Sequence, residues 1–398
     1  MNDTPDTPRL FLQPGGDKRA AHGHPWVYAN EIRMDAEAKA LAPGAVAVLH
    51  RVDGKPMGTG MFNPHALIAF RFLTRNPHTT VDEGFFARRI ERALALRARL
   101  FDTPHYRLVH AEADGLPGLI VDRFGPVLSV QASTAGMDAR LPEILNALES
   151  LLAPETIVLR NDGRGRALEG LDAESRVAKG TLDGPVEVRE GDLTFFGDPE
   201  GGQKTGWFFD QRANRAFVAG LARGGRMLDV YCYGGGFAVS AAAAGAESAL
   251  AVDSSETALN LARQAATANG VAGKCRFLQG DAFGELAKLD AGGERFEVAA
   301  VDPPAFVKSR KDLRNGLKGY QKLAALAARL VAPGGFLFMA SCSHNAGVTD
   351  FTQAVADGVR KAGRSGRVLR TAGADADHPV HPHLPESAYL KALTLQLD

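Results

Sequence analysis

Cysteine is scarce in this sequence. Its three cysteines, Cys232, Cys275 and Cys342, are odd in number, widely spaced and include no C-x-x-C pair. That excludes a disulfide framework and a cysteine zinc site, and it predicts reduced thiols in a cytoplasmic protein without a metal centre. Net charge is lacking as well: 46 basic and 46 acidic side chains leave +0. No global field therefore draws the chain to nucleic acid or to a membrane, and a polyanion must be met locally. Long apolar runs are also missing. The stretch from Ala238 to Val252 is broken by Glu247, and the opening MNDTPDTPRL is polar and acidic, so neither a signal peptide nor a membrane span is expected. What remains is ordinary for a globular chain, with 45% hydrophobic and 23% charged residues. Disorder is excluded, and 398 residues predict two or three domains.

The neutral total hides a division. Residues 1–110 carry 15 basic and 11 acidic side chains, residues 111–200 carry 8 and 17, and residues 201–398 carry 23 and 18. The two outer parts are thus better suited to phosphate than the acidic middle. Up to about Arg75 the chain is rich in Gly and Pro between short apolar runs such as Ala45–Leu49 and Leu67–Leu73, which predicts a small β-barrel. A helix is predicted over Phe85–Leu100, with Phe86, Ile90, Ala93 and Leu94 on one face. Arg88, Arg89, Arg92 and Arg99 lie mostly away from that face and read first as solvated, second as a binding surface. Short strands and a helix near Met137–Leu151 predict a small α+β domain up to about Glu190.

After Trp207, strand-like runs at Met227–Val230, Ser248–Val252, Cys275–Gln279, Val298–Val301 and Gly335–Ala340 alternate with alanine-rich helical stretches, including Thr257–Asn269 and Gly319–Leu330. Such alternation predicts a parallel sheet covered on both faces. Ligands of these sheets sit beyond the carboxyl ends of the strands. Each of the five ends here carries a chemically active group: Asp229 with Gly234, Gly235 and Gly236, then Asp253, Asp281, Asp302 and Cys342. One aspartate would read as a helix cap; five successive ends point to a site. The turn DVYCYGGGF lets a ligand approach the backbone, yet it is neither G-x-G-x-x-G nor a P-loop. Asp253, 24 positions beyond Asp229, suits ribose hydroxyls. A ribose carboxylate without a pyrophosphate fingerprint favours S-adenosylmethionine over NAD.

Asp302-Pro303-Pro304-Ala305-Phe306 is a stiff loop able to hold a planar base against a carboxylate. In Ser341-Cys342-Ser343 a thiol at an active strand end can serve as nucleophile. Cys232, inside the glycine turn, reads as a packing or cofactor-side residue, and Cys275, at the start of a strand, as core. From Lys308 to Lys322 run six basic residues against the single Asp312; alone this is a solvated helix start, but beside a base-binding loop it reads as a phosphate clamp in which Lys308, Arg310, Lys311 and Arg314 stand foremost.

KTGWFFDQRANR (204–215), DVYCYGGGF, VDSS, GDAF, DPPAF and SCS, together with GHPWVYANEI, ADGLPGLIVDRFG, DHPV and PESAYLKAL, closely resemble the bacterial large-subunit (23S) ribosomal RNA cytosine-5 methyltransferases that carry an N-terminal PUA domain. The resemblance runs in order over nearly the whole chain. It implies an α/β architecture: a PUA-like RNA-binding β-barrel at 8–78, a central α+β domain at 79–192 and a Rossmann-like class I methyltransferase domain at 193–398. Asp229, Tyr231, Tyr233, Gly234, Gly235, Gly236, Asp253, Ser254 and Asp302 would surround S-adenosylmethionine, with Asp281 and Ala282 near its adenine. Cys342 and Asp302 would act on an unstacked cytosine of ribosomal RNA, held by Pro303, Pro304, Phe306 and the basic run; a homodimer is compatible with all of this. Family members often carry Tyr-Thr-Gly-Gly at 233–236 and Lys at 305, where this chain has Gly234 and Ala305. Competing readings are a guanine-nitrogen methyltransferase, a catalytically idle RNA-binding assembly factor and, more remotely, a NAD-dependent oxidoreductase.

Overall fold

The computed structural model describes residues 7–398; the first six residues of the polar opening lie outside the described part. Strands Arg9–Phe11, Trp26–Val27, Ala45–His50, Pro56–Phe62 and Phe70–Thr74 form one five-stranded sheet. Leu10, Val27, Leu49, Phe62 and Phe70 fill its core. A helix over Glu83–Leu100 follows, its first turn capped by Asp82, which accepts from Phe85 N at 2.8 Å. It buries Phe85, Phe86, Ile90 and Ala93, close to the expected face. It also buries Arg97, which is 0% exposed; periodicity alone would leave an arginine outside. A second five-stranded sheet, built from His105–His110, Leu119–Phe124, Val127–Ala132, Thr156–Asn161 and Glu174–Lys179, accompanies this helix and the helix Leu141–Leu152.

The chain does not divide linearly. One compact unit contains the described residues up to Gly184 together with Asp198–Gly206 and Asp377–Ser387; the other contains Pro185–Gly197, Trp207–Ala376 and Ala388–Asp398. The DHPV motif thus belongs to the first unit and the hairpin Val186–Glu190/Leu193–Gly197 to the second.

The second unit is built on a seven-stranded sheet: β1 (Arg226–Val230), β2 (Ser248–Asp253), β3 (Cys275–Gln279), β4 (Phe296–Val301), β5 (Val331–Ser341), β6 (Gly366–Ala372) and β7 (Lys391–Leu397). Their order is β3-β2-β1-β4-β5-β7-β6. Neighbours from β3 to β5 are parallel, and β7 runs antiparallel to both β5 and β6. Helices α1 (Arg212–Leu221), α2 (Gly236–Ala243), α3 (Glu256–Ala268), α4 (Ala282–Ala291), α5 (Leu313–Leu330) and α6 (Val348–Lys361) connect them. Leu286, Leu323, Leu330, Phe351 and Val355 pack with Leu337 and Met339 of β5. Phe338 alternates to the opposite side and meets Phe237 of α2 at 5.0 Å between ring centroids.

Three differences from the sequence reading matter for the site. Strands β6 and β7 extend the sheet beyond the five expected runs. β6 is largely exposed along its length, so no apolar alternation marks it. Helix α5 starts at Leu313 rather than Gly319, carrying Arg314 and Lys318 on its first turns. Gly316 reads as a breaker but serves close packing, since a Cβ there would lie 2.4 Å from Val307 and 2.8 Å from the Phe306 carbonyl. Among the described residues, no helix is long and apolar enough to cross a membrane.

Candidate active site

Register decides which side chains share the rim. Val230 pairs with Val252 and Val301, Val252 with Leu278, and Val301 with Met339. The next residues, Tyr231, Asp253, Gln279, Asp302 and Ala340, therefore emerge in one row at the carboxyl edge. Asp281 and Cys342 follow within three residues of that row.

The turn after β1 is wound tightly. Tyr231 and Tyr233 have φ of 63° and 48°, and Gly235 has φ of 75°. Two bulky side chains in the left-handed region store strain that neighbours must hold. Asp253 accepts from Tyr233 N at 2.9 Å, and Gly235 N donates to the Cys232 carbonyl at 2.8 Å. Asp229, only 1% exposed and inside the strand rather than after it, accepts from Ala238 N at 2.9 Å and so anchors the start of α2. At Gly235 a Cβ would meet that of Ala262 at 2.8 Å. From the other side, Trp207 donates to Glu190 at 2.8 Å; Arg215 pairs with the same carboxylate and lies over the Trp207 ring at 5.0 Å. Phe208 meets the Tyr233 ring edge-on at 5.2 Å.

Burial pushes the Asp229 carboxyl up to about 7, and the nearby charges of Asp302 and Asp253 push it the same way. Burial likewise raises the Tyr231 phenol to about 12. The acids thus form one negative cluster. Asp253 also accepts from Ser255 N at 2.9 Å. Asp281 is exposed and caps α4 through Gly284 N at 2.9 Å. Ser254 is exposed, and the neighbouring Ala282 is buried.

Asp302 has a partner that sequence reasoning did not single out. Gln211, 2% exposed, donates to it at 2.8 Å and accepts from Asn214 at 2.7 Å. Both lie in the KTGWFFDQRANR stretch, but only the fold brings them to a residue 91 positions away.

A second unforeseen group ties the Asp302 loop to the cysteine loop. The Tyr320 hydroxyl, on α5, accepts from Ser341 Oγ at 2.8 Å and shares a hydrogen bond with Ser343 Oγ at 2.9 Å. Ser343 in turn accepts from Val307 N at 3.1 Å. Phe306 rests 4.8 Å from the Tyr320 ring. Pro303 is buried beneath the loop and Pro304 is exposed on it. On the other side, Lys391 donates to the carbonyls of Ser343 at 2.6 Å and Tyr389 at 2.7 Å. Burial draws its pKa down, and the charge on Cys342 draws it back up.

The three cysteines separate clearly. Cys232 and Cys275 are buried, and burial raises their thiols, Cys232 well above the usual value and Cys275 to about 11. Cys342 is half-exposed between two buried serines. The side chains of Lys308, Arg310, Lys311 and Arg314 are all exposed beside this loop. Among the described residues, no group of three or more His, Cys, Asp or Glu is placed to hold a metal ion.

Comparison with known proteins gives concordant matches. Residues 171–396 match the family described as S-adenosylmethionine-dependent methyltransferase, and residues 10–75 match a PUA-like domain. The ribosomal RNA large subunit methyltransferase I of Pseudoalteromonas atlantica is 34% identical over 389 residues, covering 97% of this chain and 98% of the relative. Its namesake in Cronobacter sakazakii is 35% identical, covering 96% and 98%. A solved SAM-dependent methyltransferase from Streptococcus mutans has a TM-score of 0.82 at 18% identity, covering 98% of this chain and 100% of that one. A second solved methyltransferase, complexed with SAH, gives 0.83 at 17%, with the same coverage. These two speak to the fold alone.

Proposed function

Because this chain belongs to the S-adenosylmethionine-dependent methyltransferase family, with a class I Rossmann-like domain and an N-terminal PUA-like domain, we propose that it methylates carbon 5 of a cytosine in large-subunit ribosomal RNA through a transient bond to Cys342. The observation that carries this reading is the half-exposed Cys342 at the end of β5, tied through Ser341, Ser343 and Tyr320 to the Asp302 loop. The RNA class comes from the names of the relatives, and ribosomal RNA as substrate implies a cytoplasmic protein.

The donor groups suit the cofactor. S-adenosylmethionine supplies, when bound, an electrophilic methyl group on a positively charged sulfur. A cluster of Asp229, Asp253 and Asp302, whose charges repel one another, favours a ligand carrying a sulfonium and an ammonium. In our reading Asp253 and Ser254 hold the ribose. Asp281 and Ala282 flank the adenine, and the turn from Tyr231 through Tyr233 to Gly236 takes the methionine part.

Carbon 5 of cytosine is too electron-poor to attack a methyl group unaided. The Cys342 thiolate adds to carbon 6, moving a ring electron pair to carbon 5, which then takes the methyl group. Asp302, oriented by Gln211, holds the nitrogen 3 edge and shares a proton with it. Loss of the carbon 5 proton returns the electron pair, breaks the carbon–sulfur bond and frees Cys342. The Lys391 ammonium behind Ser343 favours the thiolate. Phe306 and Pro304 receive the base, which must be unstacked to reach both reagents, while the expected contact of Pro303 is excluded by its burial beneath the loop.

The deciding experiment maps 5-methylcytosine in large-subunit ribosomal RNA from cells with and without the protein. One position is expected to lose its mark. An unchanged cytosine map with a lost guanine mark would transfer the reading to nitrogen methylation.

Two further outcomes follow from the assigned roles. Asp253→Ala is expected to weaken S-adenosylmethionine binding by about 1.5–3 kcal/mol, the usual worth of hydrogen bonds to a charged group. Asp253→Asn should lose less, because it still offers an acceptor to Tyr233 N. Calorimetry on both variants measures this, and equal affinity for wild type and the alanine variant would remove Asp253 from the site. Replacing Arg310 and Lys311 together by alanine is expected to flatten the log–log salt dependence of RNA binding by about 1.4, at roughly 0.7 per lost contact on single strands. The loss should be alike for matched and mismatched RNA, since phosphate contacts carry little sequence information. An unchanged slope would leave the run as a solvated face.

A further inference from the structure

The first unit contains a groove of about 560 Å³ that lies outside the site above and runs from the PUA-like match at residues 10–75 onto the helix Glu83–Leu100 beyond it. Its walls are the end of the strand Phe70–Thr74, one face of the helix Glu83–Leu100 and the segment around His381. The helix contributes Arg89, Arg92, Ala93 and Leu96, a spacing of three, four and seven residues that forms a single stripe. This is part of the arginine face that the sequence reads first as solvated.

The charges of the groove are unbalanced. Arg75 donates to the His24 carbonyl at 3.0 Å with its guanidinium 3.8 Å from the centre of the Phe72 ring. Arg89 donates to the Leu73 carbonyl at 2.8 Å. Arg92 is exposed on the next turn. Among the described residues, none of these three guanidiniums has a carboxylate within ion-pair distance. Two carboxylates, Glu112 and Asp114, also line the groove, and both are engaged elsewhere. Glu112 accepts from Trp26 at 2.8 Å and faces Arg71 at 3.5 Å, while Asp114 is bound to Arg97 at 2.6 Å. Burial lowers the Arg89 pKa, and the like charge of Arg92 lowers it further. Cations that line one groove without a counter-charge, Arg89 among them partly desolvated, favour an anion between them. Beside them, Leu96 is 41% exposed, an apolar surface with no use for a bare phosphate ion but suited to the face of a ribose or base.

We propose that this groove binds the sugar–phosphate backbone of an RNA strand, with Arg75, Arg89 and Arg92 on phosphates and Leu96 against a sugar or base. The proposal rests on the reading of the substrate as RNA, and it gives the segment Asp377–Ser387 a part in substrate binding as a wall of the groove.

The test uses the full chain and a fluorescein-labelled 20-nucleotide single-stranded RNA, followed by anisotropy over a range of salt concentrations. Arg89→Gln/Arg92→Gln is expected to flatten the log–log slope by about 1.4 and to leave S-adenosylmethionine affinity unchanged. Arg92→Gln alone, at an exposed side chain with no hydrogen bond among the described residues, should flatten it by about 0.7 and guards against misfolding of the double variant. These losses should add to that of the Arg310 and Lys311 change. Unchanged slopes in both variants overturn the proposal. Displacement of the RNA by inorganic tripolyphosphate at equal phosphate concentration also overturns it, assigning the groove to a small polyanion. Methylation of ribosomal RNA with unchanged slopes would sink the groove alone. Salt-dependent RNA binding that these arginines control, without methylation, would sink the proposed reaction alone.

Discussion

Cys342→Ala is expected to lose methyl transfer by at least ~10³-fold while binding S-adenosylmethionine as tightly as the wild type. The size follows from the chemistry, because without a nucleophile at carbon 6 no electron pair reaches carbon 5 and no weaker route replaces it. The sparing of the cofactor follows from geometry. The turn after β1 is held by Asp229 and Asp253, whereas Cys342 follows the last residue of β5. RNA carrying 5-fluorocytosine at the methylated position should trap the wild-type protein as an adduct stable to denaturing electrophoresis, since fluorine blocks the final proton loss. The Cys342→Ala protein should give none. Cys275→Ala should stay active, as its thiol is buried in the sheet. A fully active Cys342→Ala protein would end the carbon 5 mechanism and favour transfer to a nitrogen, which needs no thiol.

The largest expected effect on stability lies in the first unit. Arg97 is fully buried; it makes two bonds to Asp114, at 2.6 and 2.9 Å, and donates to the carbonyls of Arg107 at 2.9 Å and Asp377 at 2.8 Å. The Asp377 carboxylate accepts from Arg107 N at 2.9 Å and meets His378 Nδ1 at 2.7 Å. Next to it, Arg107 grips the buried Asp122 at 2.7 and 2.8 Å. Asp114→Ala removes one partner and leaves a buried guanidinium without its counter-charge, which costs about 3–5 kcal/mol. Arg97→Met should cost a similar amount, because it removes the counter-charge of Asp114, which keeps only the His110 N–H, and the donor to two carbonyls together. The double replacement should recover part of the loss but not all, since the carbonyls remain without a donor. Denaturant unfolding measures each value, with the exposed Arg99→Met as a control within about 0.5 kcal/mol. A shift that small for Asp114→Ala would mean that the ion pair holds nothing together.

Much of the second unit was legible from short stretches of chain. Apolar runs bounded by Gly, Asp or Pro foretold β1, β2 and β4 almost to the residue, because a strand buried on both faces needs little more than that local pattern; β3, half-exposed at the sheet edge, was marked by its Gly and Asp boundary. The acids at their ends were legible for the same reason. β5 was found but begins earlier than expected, at Val331. β6 escaped notice because its residues are exposed along nearly the whole strand and carry no alternation to read, and α5 was entered late because Gly316 looks like a breaker until Phe306 and Val307 lie against it.

The sequence by itself determined the chemistry available at the rim. It supplied the glycine turn, the carboxylates after successive strands and a thiol flanked by serines, all of which depend on residues adjacent in the chain. Only the tertiary structure decided how those groups are held. Gln211 reaches Asp302 across 91 positions, Lys391 reaches Ser343 across 48, and Tyr320 joins two loops. Arg97 is matched to the Asp377 backbone 280 positions away. Periodicity and turn chemistry act over a few residues, whereas these polar groups are stable in the interior only when folding completes their hydrogen bonds. Which partners complete them is set by strand order and register, and no local stretch of sequence contains that information.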